Sequence, residues 1–498
     1  MIDAQTGTHM KHQRALLVAL LLPSLATIQA AEVKFAAIFS DHVVLQREKP
    51  VPVWGWAEPG ENITVQFGGQ KKTAIADANG RWMTKLDPMG ASPEPRELVA
   101  HAQTAGNTST VSDVLVGDVW LCSGQSNMNV PVKNAVNGDA EIAAADHPQI
   151  RFFVVPEVAK GKPRSQSGGD WQVCSSVTSG RFSAVGYFFG RELHAALHIP
   201  IGLIQASVGS TAAEAWTSET ALNSSAEFKP LIGKPIEPNK AKSRNEGDQW
   251  AQSEGDKGMP AALYNGMIAP LLPYALRGGI WYQGENNAND AIRAEAYRRL
   301  LPVLVSGWRR DFDQEFPFYI VQLANFGRRG DSPASDPWRV SLWSVLRESQ
   351  ALAAATLSKS GLAVTIDIGD PKQIHPKNKQ EVARRLALIA LGKEYGLRVE
   401  YSGPVCTTMR IEGGTVVLAF THAAGLAAKE GALTGFVVAG EDGRFQPAQA
   451  RIEGTTVRVS SPAVARPAAV RYAWANDPEC NLVNGAGLPA SPFRFPVK

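Results

Sequence analysis

The sequence predicts an α/β core with β-rich regions at both ends, and three features of the chain point there. Short apolar runs, too brief for helices, recur at residues 116–121, 150–155, 201–206, 278–282, 318–323 and 362–368. Segments of helical period lie between several of them. Ile292, Ala296, Leu300, Val303, Leu304 and Trp308 fall on one face, as do Val382, Leu386, Ile389 and Ala390. Strands alternating with helices imply a parallel sheet covered on both faces. The two ends of the chain lack the helical period altogether.

Residues 32–112 read as β structure, with runs at 51–56, 63–67 and 73–75 separated by the turn signals Pro59-Gly60 and Asn79-Gly80. Residues 399–498 read alike, with runs at 416–420, 435–438, 457–460 and 470–474. They are expected to be two small β-sandwiches or two halves of one module. Between them, residues 113–398 form the expected α/β domain. Within it, 221–258 is polar and aperiodic and is expected to be a surface loop.

The first 31 residues read as a secretory signal. Lys11, His12 and Arg14 precede an apolar run at 15–22, and residues 23–30 end in small side chains. Met10 is the expected start of that signal, with 1–9 an upstream extension. The apolar run is far short of the ~20 residues that cross a bilayer, so a stable membrane anchor is not expected. The expected location is the periplasm or the medium.

Bulk charge narrows the partners. The 50 basic and 47 acidic side chains are spread along the 498 residues and leave a net charge of +3, so no nucleic-acid footprint is expected. Cys122, Cys174, Cys406 and Cys480 fit no common zinc spacing and are too few for a disulfide scaffold. They are expected to be small buried hydrophobes, with room for one bridge between Cys406 and Cys480 in an oxidising compartment.

In an open parallel sheet, ligands bind beyond the carboxyl ends of the strands. The polar residues that follow each apolar run are therefore the candidates. The first run leads into Ser123-Gly124-Gln125-Ser126-Asn127-Met128, the third into Ser207-Val208-Gly209-Ser210-Thr211, the fourth into Gln283-Gly284-Glu285-Asn286-Asn287. The last leads into Gly369-Asp370 and then Ile374-His375-Pro376. A serine, a glycine turn, an amide-and-carboxylate turn and a histidine would share one rim. Acyl transfer needs those parts. A serine hydroxyl is a weak nucleophile until an imidazole takes its proton. The tetrahedral intermediate needs donors aimed at its oxyanion, which the N–H groups of Ser126 and Gly209 and an amide from Asn286 or Asn287 would supply.

The string Trp120-Leu-Cys-Ser-Gly-Gln-Ser-Asn-Met128 resembles the nucleophile block of the sialate O-acetylesterase and acetyl xylan esterase group of SGNH hydrolases. The resemblance continues through Gly209-Ser-Thr-Ala-Ala-Glu-Ala-Trp216, Tyr264-Asn-Gly-Met267, Trp281-Tyr-Gln-Gly-Glu-Asn-Asn287 and Ile374-His-Pro-Lys-Asn-Lys379. It extends to Arg471-Tyr-Ala-Trp-Ala-Asn476 and Pro492-Phe-Arg494, and so over most of the chain.

It implies a flavodoxin-like three-layer α/β/α sheet, Ser126 as nucleophile, His375 as base and Gly209 in the oxyanion hole. Gln125 and the turn from Gln283 to Asn287 are implied near the substrate, with Asn287 favoured over Asn286 as the amide donor. Many SGNH hydrolases carry an aspartate three residues before the histidine, where this chain has Lys372. Related esterases with a Gln-Gly-Glu turn use its glutamate instead. Glu285 is therefore placed ahead of Asp370 as the acid, with a backbone carbonyl as a third candidate. No metal or organic cofactor is required.

Trp216 and Trp281 are read as packing rather than a sugar-stacking wall, Glu214 as a structural partner and Asp367 as a hydrogen-bonding residue beneath the site. The implied activity is O-deacetylation of an oligosaccharide or polysaccharide, with acetylated xylan or xyloglucan favoured and 9-O-acetyl sialic acid as the alternative. A non-catalytic carbohydrate-binding protein on a hydrolase scaffold and a lipase or general esterase are the competing readings.

Overall fold

The computed structural model describes residues 32–236, 256–327 and 341–496. The expected signal segment and residues 237–255 of the expected surface loop lie outside the described residues.

The core strands are β1 (Thr108–Gly124), β2 (His147–Val154), β3 (Trp171–Cys174), β4 (Ile201–Ser207), β5 (Gly278–Tyr282), β6 (Phe318–Val321) and β7 (Ser360–Ala363). They hydrogen-bond in the order β3-β2-β4-β1-β5-β6-β7. All neighbours are parallel except β3, which runs antiparallel to β2. The chain is thus α/β with mixed sheets, as expected in outline. Strand β1 lies between β4 and β5, and β2 and β3 extend the sheet beyond β4.

Helices follow the strands: α1 (Ser126–Asn129), α2 (Ala184–Leu197), α3 (Ala291–Phe312), α4 (Leu342–Thr356) and α5 (Lys379–Lys393). Helix α2 packs with α5, and α3 with α4. Polar side chains fix where the longer ones begin. Ser183 caps α2, Asp290 caps α3, Ser341 caps α4 and Asn378 caps α5, each accepting a backbone N–H of the first turn.

The expected boundary at 112/113 does not separate two bodies. Strand β1 is 17 residues long and crosses it. Its first half pairs with the strand Ser92–Ala102 of the N-terminal β region, and its middle with Val44–Gln46. One hydrophobic core accordingly runs from Val33 through the whole α/β domain. The C-terminal β region has its own core, between two four-stranded sheets, built on Leu418, Val438, Val459 and Val470. The two β regions are therefore not halves of one module. Val364 and Ile366 belong to that second core. This corrects the run expected at 362–368: β7 ends at Ala363, and the apolar residues beyond it turn toward the C-terminal region.

Cys122 and Cys174 are buried, and Cys406 and Cys480 half-buried; all four are free thiols, so the bridge between the last two is not formed. Among the described residues no helix is long and apolar enough to cross a membrane.

Candidate active site

Strand register brings three candidate turns to one level. Gly124 at the end of β1 is paired with Ser207 of β4 on one side and Tyr282 of β5 on the other. The residues that follow each end, Ser126, Gly209 and Gln283, therefore emerge from the same edge of the sheet. Gln125 N–H donates to the Tyr282 carbonyl at 2.9 Å and Val208 N–H to the Gly124 carbonyl at 3.1 Å, which fixes the turns to one another. Gly124 has φ +138°, and a Cβ there would lie 2.2 Å from the Tyr282 carbonyl oxygen, so only glycine fits between the strands.

His375 arrives from the loop between β7 and α5, and its Nε2 lies 2.8 Å from Ser126 Oγ. The two residues are 249 positions apart in sequence. Burial first, and the Lys379 ammonium second, hold the imidazole below its ordinary value, which favours the neutral form. Gly209 faces the serine: a Cβ built on it would meet Ser126 Cβ at 3.6 Å. Among the described residues no hydrogen bond engages the Ser126 or Gly209 N–H, so both are free to donate.

Neither expected acid touches His375. Glu285 is buried and its Oε1 accepts from Asn127 Nδ2 at 2.5 Å. The same Asn127 nitrogen donates to the Ile374 carbonyl at 2.9 Å, and Asn127 Oδ1 accepts from Lys379 Nζ at 2.5 Å. Glu285 thus reaches the histidine loop through an asparagine. Burial pushes the Glu285 carboxyl above its ordinary value and the Lys379 ammonium down to about 7, each against the attraction of the other. Asp370 accepts from the Lys372 N–H at 2.8 Å and closes a local turn instead of curling back to the imidazole.

The amides divide differently from expectation. Asn287 has no exposed surface; its Oδ1 accepts from Ala213 N–H and Gln283 Nε2, and its Nδ2 donates to Glu214. That corrects its reading as the oxyanion donor. Asn286, half-buried at the rim, donates to the Ser210 carbonyl at 3.3 Å and accepts from Arg293. Gln283 is buried, donating also to the Thr211 carbonyl and accepting from Tyr297. Gln125 is buried too, its Oε1 accepting from the N–H groups of Gly284 and Asn286, both at 3.3 Å. These four amides brace the turns and leave the opening to backbone donors.

Trp216 and Trp281 are fully buried, their rings edge to face at 6.2 Å, as packing requires. Glu214 is held by Arg293 and Asn287, and Asp367 is paired with Arg385 at 2.6 and 2.8 Å.

Asn127 and Lys379 were not singled out from sequence, although both lie inside the matched strings. The signal for Lys379 was its phase: it falls on the apolar stripe of Val382 and Leu386, and a lysine there is buried. Among the described residues no cluster of three His, Cys, Asp or Glu side chains could hold a metal ion.

A hydroxyl in contact with an imidazole, with free backbone N–H groups beside it, is the arrangement of a serine-type ester hydrolase. The pattern of the carbohydrate esterases described as sialic acid-specific acetylesterases matches residues 116–387. The chain is 29% identical to the sialate O-acetylesterase of Rattus norvegicus, over 92% of this chain and 94% of the relative. It is 32% identical to that of Homo sapiens, over 75% and 73%. A carbohydrate acetylesterase from Xanthomonas citri has a similar structure, with a TM-score of 0.82 and 39% identity over 94% of this chain and all of the other. The chain belongs to the sialic acid-specific acetylesterase family of carbohydrate esterases, and it is a carboxylic-ester hydrolase.

Proposed function

We propose that the enzyme removes acetyl groups from O-acetylated sugars by a two-step transfer through Ser126. The observation that carries this reading is the 2.8 Å separation of His375 Nε2 and Ser126 Oγ. His375 takes the hydroxyl proton as Ser126 Oγ attacks the acetyl carbonyl carbon. The oxyanion forms against the N–H groups of Ser126 and Gly209, where each donor contributes about 3 kcal/mol in comparable sites. The sugar oxygen leaves with the proton from His375, and water, deprotonated by the same imidazole, then releases acetate. Glu285 acts at one remove, through Asn127 and the Ile374 carbonyl. The pairing of α2 with α5 and α3 with α4 supports reading the core as the three-layer arrangement of SGNH hydrolases.

O-acetylated sialic acid is the substrate we favour, ahead of acetylated xylan and xyloglucan, because sialate is what the names of the rat and human relatives specify. Acetate release from 9-O-acetyl sialic acid, acetylated xylan and acetylated xyloglucan, compared at equal ester concentration, tests the choice. Faster turnover of either hemicellulose would reverse it. Normal turnover by Ser126→Ala on every ester would reject the mechanism.

A further inference from the structure

We propose that Asn325 and Asp477 are positioning residues for His375, so that the C-terminal β region takes part in catalysis as a brace. The inference rests on the reading of His375 as the base. Asn325 follows β6 and its amide faces two ways. Its Nδ2 donates to Asp477 Oδ1 at 2.6 Å, and its Oδ1 accepts from the Gly369 N–H at 2.7 Å. Gly369 opens the loop that carries His375. A Cβ at Gly369 would lie 2.2 Å from the Asn325 carbonyl oxygen and 2.3 Å from its Oδ1, so the contact is as close as a backbone can make.

A second strand of contacts runs in parallel. Gly327 N–H donates to the Pro371 carbonyl at 3.0 Å, and Phe326 N–H to the Asn476 carbonyl at 3.2 Å. Arg347 is fully buried and ties both sides together. Its Nε donates to the Leu323 carbonyl and its Nη2 to those of Ala324 and Asn476, while Nη1 reaches the Ala475 carbonyl at 2.7 Å. Residues 475–477 therefore hold the turn after β6, and that turn holds both 369 and 371. The matched string ending at Asn476 lies at this junction.

The histidine loop has no helix or strand of its own between Ala363 and Lys379. Its placement depends on side-chain contacts: Asn127 holds it at Ile374, and Asn325 holds it at Gly369. A misplacement of about 1 Å in a catalytic group lowers turnover by roughly a hundredfold, so losing the anchor at Gly369 should be visible.

The test uses the full chain and three variants: Asn325→Ala, Asp477→Ala and Asp477→Asn. Active sites are counted by fluorophosphonate labelling, so turnover refers to folded enzyme only. The two alanine variants are expected to lose at least tenfold in kcat per labelled site, with KM within twofold and the labelling rate slowed in parallel. Asp477→Asn keeps an acceptor for Asn325 and is expected to recover most of the loss. Unchanged kcat per labelled site, even with a lowered Tm, would overturn the proposal, as would failure of all three variants to fold. A wild-type enzyme that neither labels nor turns over acetyl esters would instead defeat the underlying assignment of Ser126 and His375.

Discussion

Asn127 Nδ2 lies 2.5 Å from Glu285 Oε1. The carboxylate therefore grips the residue next to the nucleophile, and that amide in turn grips the carbonyl before His375. Serine and histidine are tied to one buried anion without a direct imidazole–carboxylate bond. With Lys379 on the other face of the asparagine, the site rests on a buried chain of carboxylate, amide and ammonium. Such chains hold geometry firmly because any break leaves a buried polar group unmatched.

Replacing the hydroxyl should stop the chemistry and spare the fold. Ser126 is only half-buried, and its hydroxyl proton has one use in the mechanism. Ser126→Ala is expected to lower kcat on p-nitrophenyl acetate by at least about a thousandfold. The melting temperature should stay near that of the wild type, and fluorophosphonate labelling should vanish.

Acid should inactivate the enzyme only below the ordinary histidine range. The neutral imidazole is the working form, and protonation removes it. Because burial and Lys379 depress the His375 value below 6.5, kcat/KM should stay flat from neutral pH and fall at a more acidic point. Lys379→Met removes the nearby cation, which raises the histidine value and moves the acid limb upward. A pH profile of the variant with its acid limb unmoved or lower would contradict the stated electrostatics.

Adding one methyl group beside the nucleophile should cost rate and not structure. The Cβ of Gly209→Ala would sit 3.6 Å from Ser126 Cβ, an ordinary contact distance. The methyl group nevertheless intrudes where the acetyl group and its oxyanion must fit. We expect roughly a tenfold loss of kcat/KM, since a single displaced donor in such a site costs a comparable or larger factor. Thermal unfolding should show little change.

Asn287→Ala separates a brace from an oxyanion donor. The substitution leaves Ala213 N–H, Gln283 Nε2 and Glu214 each short of a partner in a fully buried place. Stability should fall by about 2–4 kcal/mol. Turnover per labelled active site should stay within about threefold of wild type. A large fall in kcat without destabilisation would return Asn287 to the oxyanion hole.

How much of this was legible depends on the range of the interaction. The β-strand runs at 51–56 and 201–206 were plain because pattern and length suffice for a strand. Helix α2 is buried on every side over its first seven residues, Ala184 to Gly190, where no polar face marks the period. The apolar run continues past the end of β7 because Val364 and Ile366 are apolar on behalf of a different core, one whose other members begin at Val416. The resemblance favours Asn287 over Asn286 as the amide donor, but it carries no side-chain direction, and in the fold Asn287 turns into the scaffold.

By itself, the sequence determined the alternation of strands and helices and the residue types at the strand ends, both of which follow from local pattern. Which groups meet was decided only by tertiary structure. Register aligned Gly124 with Ser207 and Tyr282, bringing the Ser126, Gly209 and Gln283 turns together. Burial gave Asn287 to the scaffold and placed Asn127 between Glu285 and the histidine loop. Hydrogen-bond geometry at a site depends on directions fixed by the packing of distant segments, and a linear pattern carries no direction.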